Sequence, residues 1–279
     1  LIFKISNKSL KMKKYKIYDC ITFYDENILT NLRFEILDKF VDFFVICESK
    51  YDHKGNIKKI NFSLLNEKFK NKVRHIVIDE KFPNNKGWKC EEFQREKIFN
   101  GIKDASDDDY IIYSDSDEIP NPNLLKDFSM NQKFGIFMQK FFVYKMNIFN
   151  HYETPWEGSR ICKKKNLKSF TFLRKKILKR NINKSFWKFY IEKDIKIFND
   201  GGWHFNNLYP VEVISKKLKV FPHQEFSSDK FSNLDIIKKK ISNLEDLFNR
   251  GHQYKKIEID DSYPEFLIKN IKKYKYYIL

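Results

Sequence analysis

The chain is poor in the residues that mark fibrous, repetitive and disulfide-stapled proteins. Its 279 residues include only 8 glycines and 7 prolines and show no internal period. This excludes collagen-like, linker-rich and repeat architectures. The 4 cysteines (Cys20, Cys47, Cys90 and Cys162) form no CxxC pair, and the first two lie in apolar, strand-like runs. We therefore predict free thiols and a reducing compartment.

Long hydrophobic runs are also absent. No stretch approaches the ~20 consecutive apolar residues that cross a bilayer, and the N-terminal sequence has no signal-peptide pattern. Hydrophobic residues make up 42% of the chain and charged residues 33%, which is typical of a globular protein and not of a disordered one. The expectation is a cytoplasmic protein built as one large domain, or as two subdomains that share a core.

Acidic residues are outnumbered by basic ones. The 54 lysines and arginines against 37 aspartates and glutamates leave a net charge of +17, which attracts nucleic acids, anionic lipids or nucleotide diphosphates. The basic residues form no helix-turn-helix, zinc-finger or aromatic RNP pattern, so we predict no nucleic-acid partner. A solvated surface explains most of the charge, and peripheral association with a membrane is the functional interpretation that fits better.

Strand-like and helix-like segments alternate in the first half of the chain. Strands are predicted at residues 16–24, 41–47, 73–78 and 110–113, and helices at residues 27–39, near 62–69 and at 88–103. This alternation predicts a mostly parallel α/β sheet with right-handed crossovers. Ligands of such sheets bind beyond the carboxyl ends of the strands.

The second half of the chain follows a different pattern. Strands are predicted at residues 134–146, 156–162 and 167–172, a glycine-containing loop at 199–205, and helices at 229–250 and 264–277. Gly251 is placed to end the first of these helices, and Pro264 lies in the first turn of the second.

The acidic motif Asp115-Ser-Asp117-Glu118 directly follows the fourth predicted strand. Two aspartates spaced i, i+2 can both reach one Mg²⁺ or Mn²⁺ ion if the backbone leaves strand geometry there. Such an ion neutralises a sugar-diphosphate leaving group as the bond to it breaks. A solvated acidic loop or a helix N-cap is the alternative. The position at the end of a buried strand, before Ile119-Pro120, favours the metal site.

The chain resembles glycosyltransferase family 17 over residues 16–278, through blocks that occur in order. They are FYDEN (23–27), LRFE (32–35), VDFFVICES (41–49), GW (87–88), EE (91–92), QR (94–95), DSDEIP (115–120), GGWHF (201–205), FPHQEF (221–226), DLF (246–248), DD (260–261) and YP (263–264). The resemblance implies a GT-A fold, a UDP-N-acetylglucosamine donor, a divalent metal (Mn²⁺ or Mg²⁺), inversion at the anomeric carbon and a β-1,4 linkage to a glycan acceptor. It also implies one GT-A domain with two halves. Residues 15–125 would bind the nucleotide sugar, and residues 126–279, with the C-terminal helices, the acceptor.

Inversion requires a carboxylate base that takes the proton from the acceptor hydroxyl. Glu225, beside His223 in the block FPHQEF, is the first choice. Asp200 and Glu157 are the alternatives, because each is near a tryptophan that could stack on a sugar face. For all three carboxylates, a structural role as a cap, salt bridge or loop tie is the competing interpretation.

His204 is a candidate third metal ligand beside Asp115 and Asp117. Neutral imidazole coordinates Mn²⁺, and the glycine pair before Trp203 would allow close approach of the backbone to a ligand. A diphosphate contact or a structural histidine held by its loop are the other interpretations.

Seven residues are predicted to contact the donor: Tyr24, Asp25, Glu26, Arg33, Arg95, Asp115 and Trp203. The first three end the first strand, where a GT-A fold receives the nucleotide base. Either arginine could pair with diphosphate oxygens in bidentate fashion, although a surface glutamate is the commoner partner. The tryptophan is core packing by default.

Two other functions compete with this interpretation. A GT-A transferase could use another nucleotide sugar, because donor choice depends on the shape of the pocket. A non-catalytic basic module would bind polyanions or membranes, with an affinity that falls steeply with salt. The intact acidic motif favours an enzyme. The chain lacks the visible membrane anchor and luminal disulfide pattern of the vertebrate family members, which favours a surface glycan as the acceptor. The oligomeric state stays open.

Overall fold

The structure is a computed structural model that describes residues 15–83, 88–220 and 229–279. The strands are β1 (Ile17–Phe23), β2 (Phe43–Ser49), β3 (Val73–Ile78), β4 (Tyr110–Ser114), β5 (Glu118–Pro120), β6 (Phe134–Val143), β7 (Ile148–Phe149), β8 (Trp156–Lys163), β9 (Ile195–Phe198), β10 (Gly202–Asn206) and β11 (Lys255–Lys256). The helices are α1 (Asn27–Leu37), α2 (Trp88–Lys97), α3 (Phe170–Lys176), α4 (Val211–Val220), α5 (Asp229–Ser232), α6 (Leu234–Ser242) and α7 (Glu265–Lys269). Short 3-10 helices include Glu67–Phe69, Ile98–Gly101, Lys179–Asn181 and Ile271–Tyr277.

In the described part of the chain the strands join into one sheet, in the order β11-β7-β6-β8-β4-β1-β2-β3. Strands β1 to β4 run parallel to one another. Strand β8 is antiparallel to both of its neighbours, so β6 runs in the same direction as β4. Strands β9 and β10 pair in parallel with β6, and β10 also pairs with β5. The predicted α/β architecture with a mostly parallel sheet is confirmed.

Strands β1, β2 and β4 are mostly apolar and buried because both faces of the sheet are covered there, whereas the edge strand β3 contains Arg74 and His75 and is mostly half-buried. Every residue of β4 is buried. One face packs into a cluster that contains Phe34 and Phe44, and the other packs into a cluster that contains Tyr113 and Phe170. Because β1, β2 and β4 are parallel, their carboxyl ends meet at one edge, where the acidic motif begins.

The segment predicted as a strand at residues 167–172 is instead the start of helix α3. The Ser169 hydroxyl accepts a hydrogen bond from the backbone N–H of Phe172 at 2.9 Å and so caps the helix. Phe170 and Leu173 are spaced i, i+3, and both are fully buried. The prediction was wrong because this short segment carries aromatic residues typical of strands, and the N-cap signal was overlooked.

The predicted loop at residues 199–205 becomes strand β10 from Gly202 onward. A Cβ on Gly202 would collide with the carbonyl oxygen of Ile119, and one on Gly201 would collide with the backbone of β6. Gly202 also has a positive φ of 126°. The two glycines therefore allow close approach of neighbouring strands.

The helix predicted at residues 229–250 is divided and ends early. The side chain of Asn233 accepts hydrogen bonds from two backbone N–H groups and so caps the N-terminus of a separate helix, α6. Helix α6 ends at Ser242. Beyond it, buried Asp246 organises a turn by accepting several hydrogen bonds. Gly251, with φ of 79°, therefore lies in an irregular turn and does not end the helix.

Two further predicted helices are only partly formed. Near residues 62–69 the structure contains just the 3-10 helix Glu67–Phe69. The C-terminal helix divides into α7 and the 3-10 helix Ile271–Tyr277. All four cysteines are buried, and none of them forms a disulfide in the described part of the chain, as predicted. Over residues 15–83, 88–220 and 229–279, no helix is long and apolar enough to cross a membrane.

Candidate active site at the carboxyl end of strand β4

The acidic motif turns sharply as it leaves β4. The backbone N–H of Glu118 donates to the carbonyl of Asp115 at 3.1 Å and closes the turn. The N–H of Phe205 donates to the carbonyl of Asp117 at 2.9 Å and ties the turn to β10. The backbone thus leaves strand geometry here, as a shared metal ion would require.

A buried ion pair supports the motif from inside the protein. The guanidinium of Arg33 pairs in bidentate fashion with the carboxylate of Asp19, and both side chains are at most 1% exposed. Arg33 also donates to the hydroxyl of Ser114 at 2.8 Å and to the carbonyl of Glu118. These partners hold Arg33 beneath the motif, so the structure does not place it where a diphosphate would contact it.

Arg174 on α3 is a site residue that the sequence analysis missed. One of its terminal nitrogens donates to Asp115 Oδ2 and to Glu118 Oε1, the latter at 2.8 Å. The other donates to Glu118 Oε2 at 3.2 Å and to the carbonyl of Gly158 at 3.0 Å. The indole N–H of Trp156 also donates to Glu118 Oε1, at 2.7 Å. The sequence signal that could have identified Arg174 is the N-cap residue Ser169, because this cap predicts a helix that contains Arg174.

The charges around Asp115 keep it ionised. Burial alone would raise the pKa of Asp115, but Arg174, Arg95 and His204 together hold it below its ordinary value. Burial would likewise lower the pKa of Arg174, but Asp115 and Glu118 raise it well above the ordinary value. The ion pair between Arg174 and the motif therefore persists across the physiological pH range.

Arg95 on α2 is linked to Asp115 through the hydroxyl of Tyr113. Its Nε donates to the hydroxyl of Tyr113 at 2.9 Å, and this hydroxyl donates to Asp115 Oδ1 at 3.2 Å. Its Nη2 donates to Glu91 at 2.7 Å. Its Nη1 is buried without a hydrogen-bond partner among the described residues. Arg95 therefore keeps a donor for a ligand close to the acidic motif.

His204 joins the site from β10. Its Nε2 lies 3.4 Å from Asp117 Oδ2, and its ring stacks on Phe141 with the centroids 4.2 Å apart. Its Nδ1 is buried and has no partner in the described part of the chain. Burial lowers the pKa of His204, but Asp117, Glu118 and Asp115 outweigh burial and raise it above the ordinary value.

The site fits a metal ion that is completed by ligands from outside the protein. Among the described residues, no group of three or more His, Cys, Asp and Glu side chains could hold an ion alone. Asp117 and His204 are nevertheless close enough to share one ion, and the side chains of Asp115 and Asp117 are 35% and 24% exposed. Mg²⁺ is commonly bound by one or two carboxylates plus phosphate oxygens, and this donor set matches that pattern.

The residues that follow β1 divide into two groups. The buried carboxylate of Glu26 accepts hydrogen bonds from the N–H groups of Tyr24 and Asp25 and from the hydroxyl of Tyr209 at 2.6 Å, and Lys217 Nζ lies 3.2 Å away. Burial raises the pKa of Glu26, but these partners outweigh it and lower the pKa to about 2. Glu26 thus ties β1 to α4, and half-buried Tyr24 and exposed Asp25 remain open to a ligand.

Trp203 is separated from the acidic motif by the alternation of side chains along β10. His204 faces the motif, whereas Trp203 is buried in the core on the other side. The Trp203 indole N–H donates to the carbonyl of Ser262 at 3.0 Å. The structure therefore gives Trp203 a packing role and no access to a donor molecule.

The three candidate bases are not brought together. Asp200 is exposed and lies in the turn before β10, with a positive φ of 48°. The carboxylate of Glu157 accepts from the backbone N–H of Lys179 at 3.1 Å and anchors the segment after α3. Glu225 lies outside the described residues.

A mostly parallel α/β sheet that ends in an Asp-x-Asp motif, flanked by buried arginines and a histidine, is the arrangement expected of a glycosyltransferase with the GT-A type of fold. The sequence model of glycosyltransferase family 17 matches residues 3–279, and the chain belongs to this family. The predicted family and the predicted enzyme class are therefore confirmed.

Solved structures similar to the chain include those of glucosyl-3-phosphoglycerate synthase from Mycobacterium tuberculosis. One is 12% identical, covers 92% of this chain and 93% of its own, and has a TM-score of 0.38. Another, in complex with Mn²⁺ and UDP-glucose, is 13% identical to this chain and also has a TM-score of 0.38. The match covers 74% of this chain and 79% of the solved one. Similarity at this level carries no argument about substrate. A search among curated proteins finds no match.

Proposed function

We propose that the protein transfers N-acetylglucosamine from UDP-N-acetylglucosamine to a glycan acceptor in a metal-dependent, inverting reaction that forms a β-1,4 linkage. The observation that carries the proposal is the convergence of Asp115, Asp117 and His204 beside Arg95 and Arg174. Family membership supports glycosyl transfer as the reaction. The sequence blocks shared with the family support the donor and the linkage.

The proposed metal ligands are Asp117, His204 and Asp115, and the ion is Mn²⁺ or Mg²⁺. When bound, such an ion neutralises negative charge on the diphosphate leaving group. The Nη1 of Arg95, which has no hydrogen-bond partner among the described residues, would donate to a diphosphate oxygen. Arg33 positions the motif by holding the carbonyl of Glu118.

Residues 15–125 are proposed as the half that binds the nucleotide sugar, with Tyr24 and Asp25 against the nucleotide base. Residues 126–279 are proposed as the half that binds the acceptor. Glu225 is our proposed base, with Asp200 and Glu157 as alternatives. The base takes the proton from the acceptor hydroxyl while that oxygen bonds to the anomeric carbon and the diphosphate departs from the opposite face.

A donor panel tests the proposed function. Purified protein with Mn²⁺ would be given UDP- and GDP-sugars, each with and without EDTA, and the release of nucleotide diphosphate would be measured. We expect release from UDP-N-acetylglucosamine alone, and only without EDTA. Turnover of a different sugar would reject the donor, and equal turnover in EDTA would reject the metal. If no sugar is hydrolysed without an acceptor, donor binding measured by calorimetry decides between the sugars.

Metal binding is expected to depend on the nucleotide. Because no group of three or more such side chains among the described residues could hold an ion alone, we expect diphosphate oxygens to complete its coordination. We expect Mn²⁺ to bind at least about tenfold more tightly in the presence of saturating UDP. Isothermal titration of Mn²⁺ with and without UDP measures this coupling, and UMP is the control without a diphosphate. Equal Mn²⁺ affinity with and without UDP would contradict the proposed ligand set.

Arg174→Gln is expected to bind Mn²⁺ more tightly and to transfer sugar more slowly. The guanidinium occupies Asp115 Oδ2 and places a fixed positive charge beside the proposed metal site. Its removal should raise Mn²⁺ affinity by at least about tenfold, because like charges at such short range repel by several kcal/mol. Calorimetry and initial rates measure the two effects. Arg180→Gln removes an exposed charge from the 3-10 helix Lys179–Asn181, which follows α3, and should change neither. A variant with unchanged Mn²⁺ affinity would show that Arg174 does not compete for the carboxylate.

A further inference from the structure

An exposed aromatic segment lies between the 3-10 helix Lys179–Asn181 and strand β9. We call residues 182–194 the aromatic loop. Four of its aromatic side chains are largely exposed: Phe186 67%, Trp187 67%, Phe189 81% and Tyr190 82%. A contiguous group of large exposed apolar side chains marks a surface that binds a partner.

The aromatic loop has a defined backbone. The N–H of Lys188 donates to the carbonyl of Ser185, and the N–H of Ile191 donates to the carbonyl of Lys188, both at 3.1 Å. Lys193 Nζ donates to the carbonyls of Ser185 and Phe186 at 2.7 and 3.2 Å. Two consecutive turns braced by a lysine therefore hold the loop, and its aromatic side chains project outward instead of folding back onto the core.

The surroundings of the aromatic loop are strongly basic. Residues 176–196 contain seven basic side chains and two acidic ones; the basic ones are Lys176, Lys179, Arg180, Lys184, Lys188, Lys193 and Lys196. Both acidic side chains, Glu192 and Asp194, are engaged at the base of the loop. Glu192 lies 3.9 Å from Lys133 Nζ, and Asp194 accepts from the Lys133 backbone N–H at 3.1 Å. The tip of the loop is therefore both aromatic and cationic.

We propose that the aromatic loop docks the protein onto an anionic lipid bilayer. Tryptophan and tyrosine favour the membrane–water interface, where their rings meet the acyl boundary and their polar atoms stay hydrated. Lys184 and Lys188 interleave with the rings and suit the negative headgroups of such a surface. A neutral sugar chain would use the rings but would gain nothing comparable from the lysines, so the charge pattern selects the lipid surface.

The proposal goes beyond the proposed function and does not depend on it. Binding to a vesicle needs no nucleotide sugar, no metal and no acceptor. A failure of vesicle binding would therefore leave the transferase activity untouched, and a failure of the donor panel would leave the docking surface untouched. Docking would place the enzyme where acceptors attached to a membrane are concentrated.

Vesicle binding by the full chain tests the proposal. The protein would be sedimented with vesicles of phosphatidylcholine mixed with phosphatidylglycerol, and with vesicles of phosphatidylcholine alone. We expect binding to the anionic vesicles, at least about tenfold weaker binding to the neutral ones, and a loss of binding at high salt. Bromine-labelled lipid should quench the fluorescence of Trp187, and the Trp187→Phe variant should lose that quenching.

Matched variants separate the loop from the net charge. Trp187→Ser combined with Phe189→Ser should weaken binding at least about tenfold. The controls Ile57→Ser and Tyr276→Ser remove side chains that are 81% and 61% exposed elsewhere, and they should bind normally. Circular dichroism and thermal unfolding check the fold of each variant, which is expected to be unchanged because the altered side chains are exposed.

A charge-matched pair completes the design. Lys184→Gln with Lys188→Gln should weaken binding at least about tenfold, because both lysines would be attracted by the anionic headgroups. Lys238→Gln with Lys239→Gln removes the same charge from the exposed side of α6 and should not weaken it to the same extent. Equal losses in the two pairs, or normal binding by the aromatic variant, would overturn the proposal in favour of diffuse attraction. Absence of lipid quenching in the unaltered protein would also overturn it. So would a change in oligomeric state without vesicle binding, which would assign the loop to a second copy of the chain.

Discussion

Asp117→Ala is expected to abolish sugar transfer while leaving the fold intact. The Asp117 carboxylate is about a quarter exposed and lies 3.4 Å from His204, whereas its tie to β10 is made by its backbone carbonyl, which alanine retains. Loss of a proposed metal ligand should lower kcat by about a thousandfold or more. The free energy of unfolding should change by less than about 1 kcal/mol.

Initial rates with UDP-N-acetylglucosamine and thermal unfolding measure these two effects of Asp117→Ala. Asp117→Asn keeps the shape of the side chain but removes its charge, and it should be nearly as inactive. Asp107→Ala removes an exposed aspartate away from the motif and should retain full activity. Substantial transfer by Asp117→Ala would remove this carboxylate from the mechanism. A parallel loss of stability would show that the inactivity reflects misfolding.

Arg33→Met is expected to destabilise the protein by about 3–5 kcal/mol, because it leaves the carboxylate of Asp19 buried without its partner. The change also removes the hydrogen bonds to Ser114 and to the carbonyl of Glu118. Transfer should fall as well, since the acidic motif loses its support. Urea denaturation measures the free energy of unfolding, and the slope of the transition should stay unchanged.

Two further variants make this test specific. Arg74→Met breaks a salt bridge to Asp104 whose side chains are 26% and 53% exposed, a hydrogen bond to the carbonyl of Gly101 and a contact with the Phe43 ring, and it should cost about 1–2 kcal/mol. Arg33→Met combined with Asp19→Leu removes both charges and should recover part of the loss, because no unpaired buried charge remains. If Arg33→Met costs no more than Arg74→Met, the buried pair does not support the fold.

The strand and helix pattern of the first half could be predicted because it depends on local sequence. The runs that form β1, β2 and β4 are mostly apolar and buried, as expected for strands covered on both faces, and α1 carries its apolar residues at helical spacing. The acidic motif could be placed at the carboxyl end of the sheet because it follows β4 directly. Errors concentrate in the second half, where α3, β10 and the divided α5–α6 are short, and their type is set by single caps and by packing.

The candidate site was only partly predictable. The motif and His204 carry local signals, and their roles as metal ligands remain predictions. Arg174 lies 59 residues from Asp115 in the chain, so no local pattern links the two. Arg33 and Glu26 were predicted to contact the donor, and the structure shows them inside the protein with protein partners. A charged side chain in the sequence does not reveal whether its partner is a ligand or another residue.

The sequence by itself determined the family, the α/β class and the position of the acidic motif, because these follow from apolar periodicity and from contiguous residues. Only the tertiary structure shows that Arg174 is the cation that pairs with Asp115 and Glu118 of this motif. It also decided that Gly201 and Gly202 allow strands to pack, and that Trp203 faces the core while its neighbour His204 faces the site. The physical reason is that ion pairs and close backbone contacts depend on distances between segments far apart in the chain, which only the folded arrangement of the sheet sets.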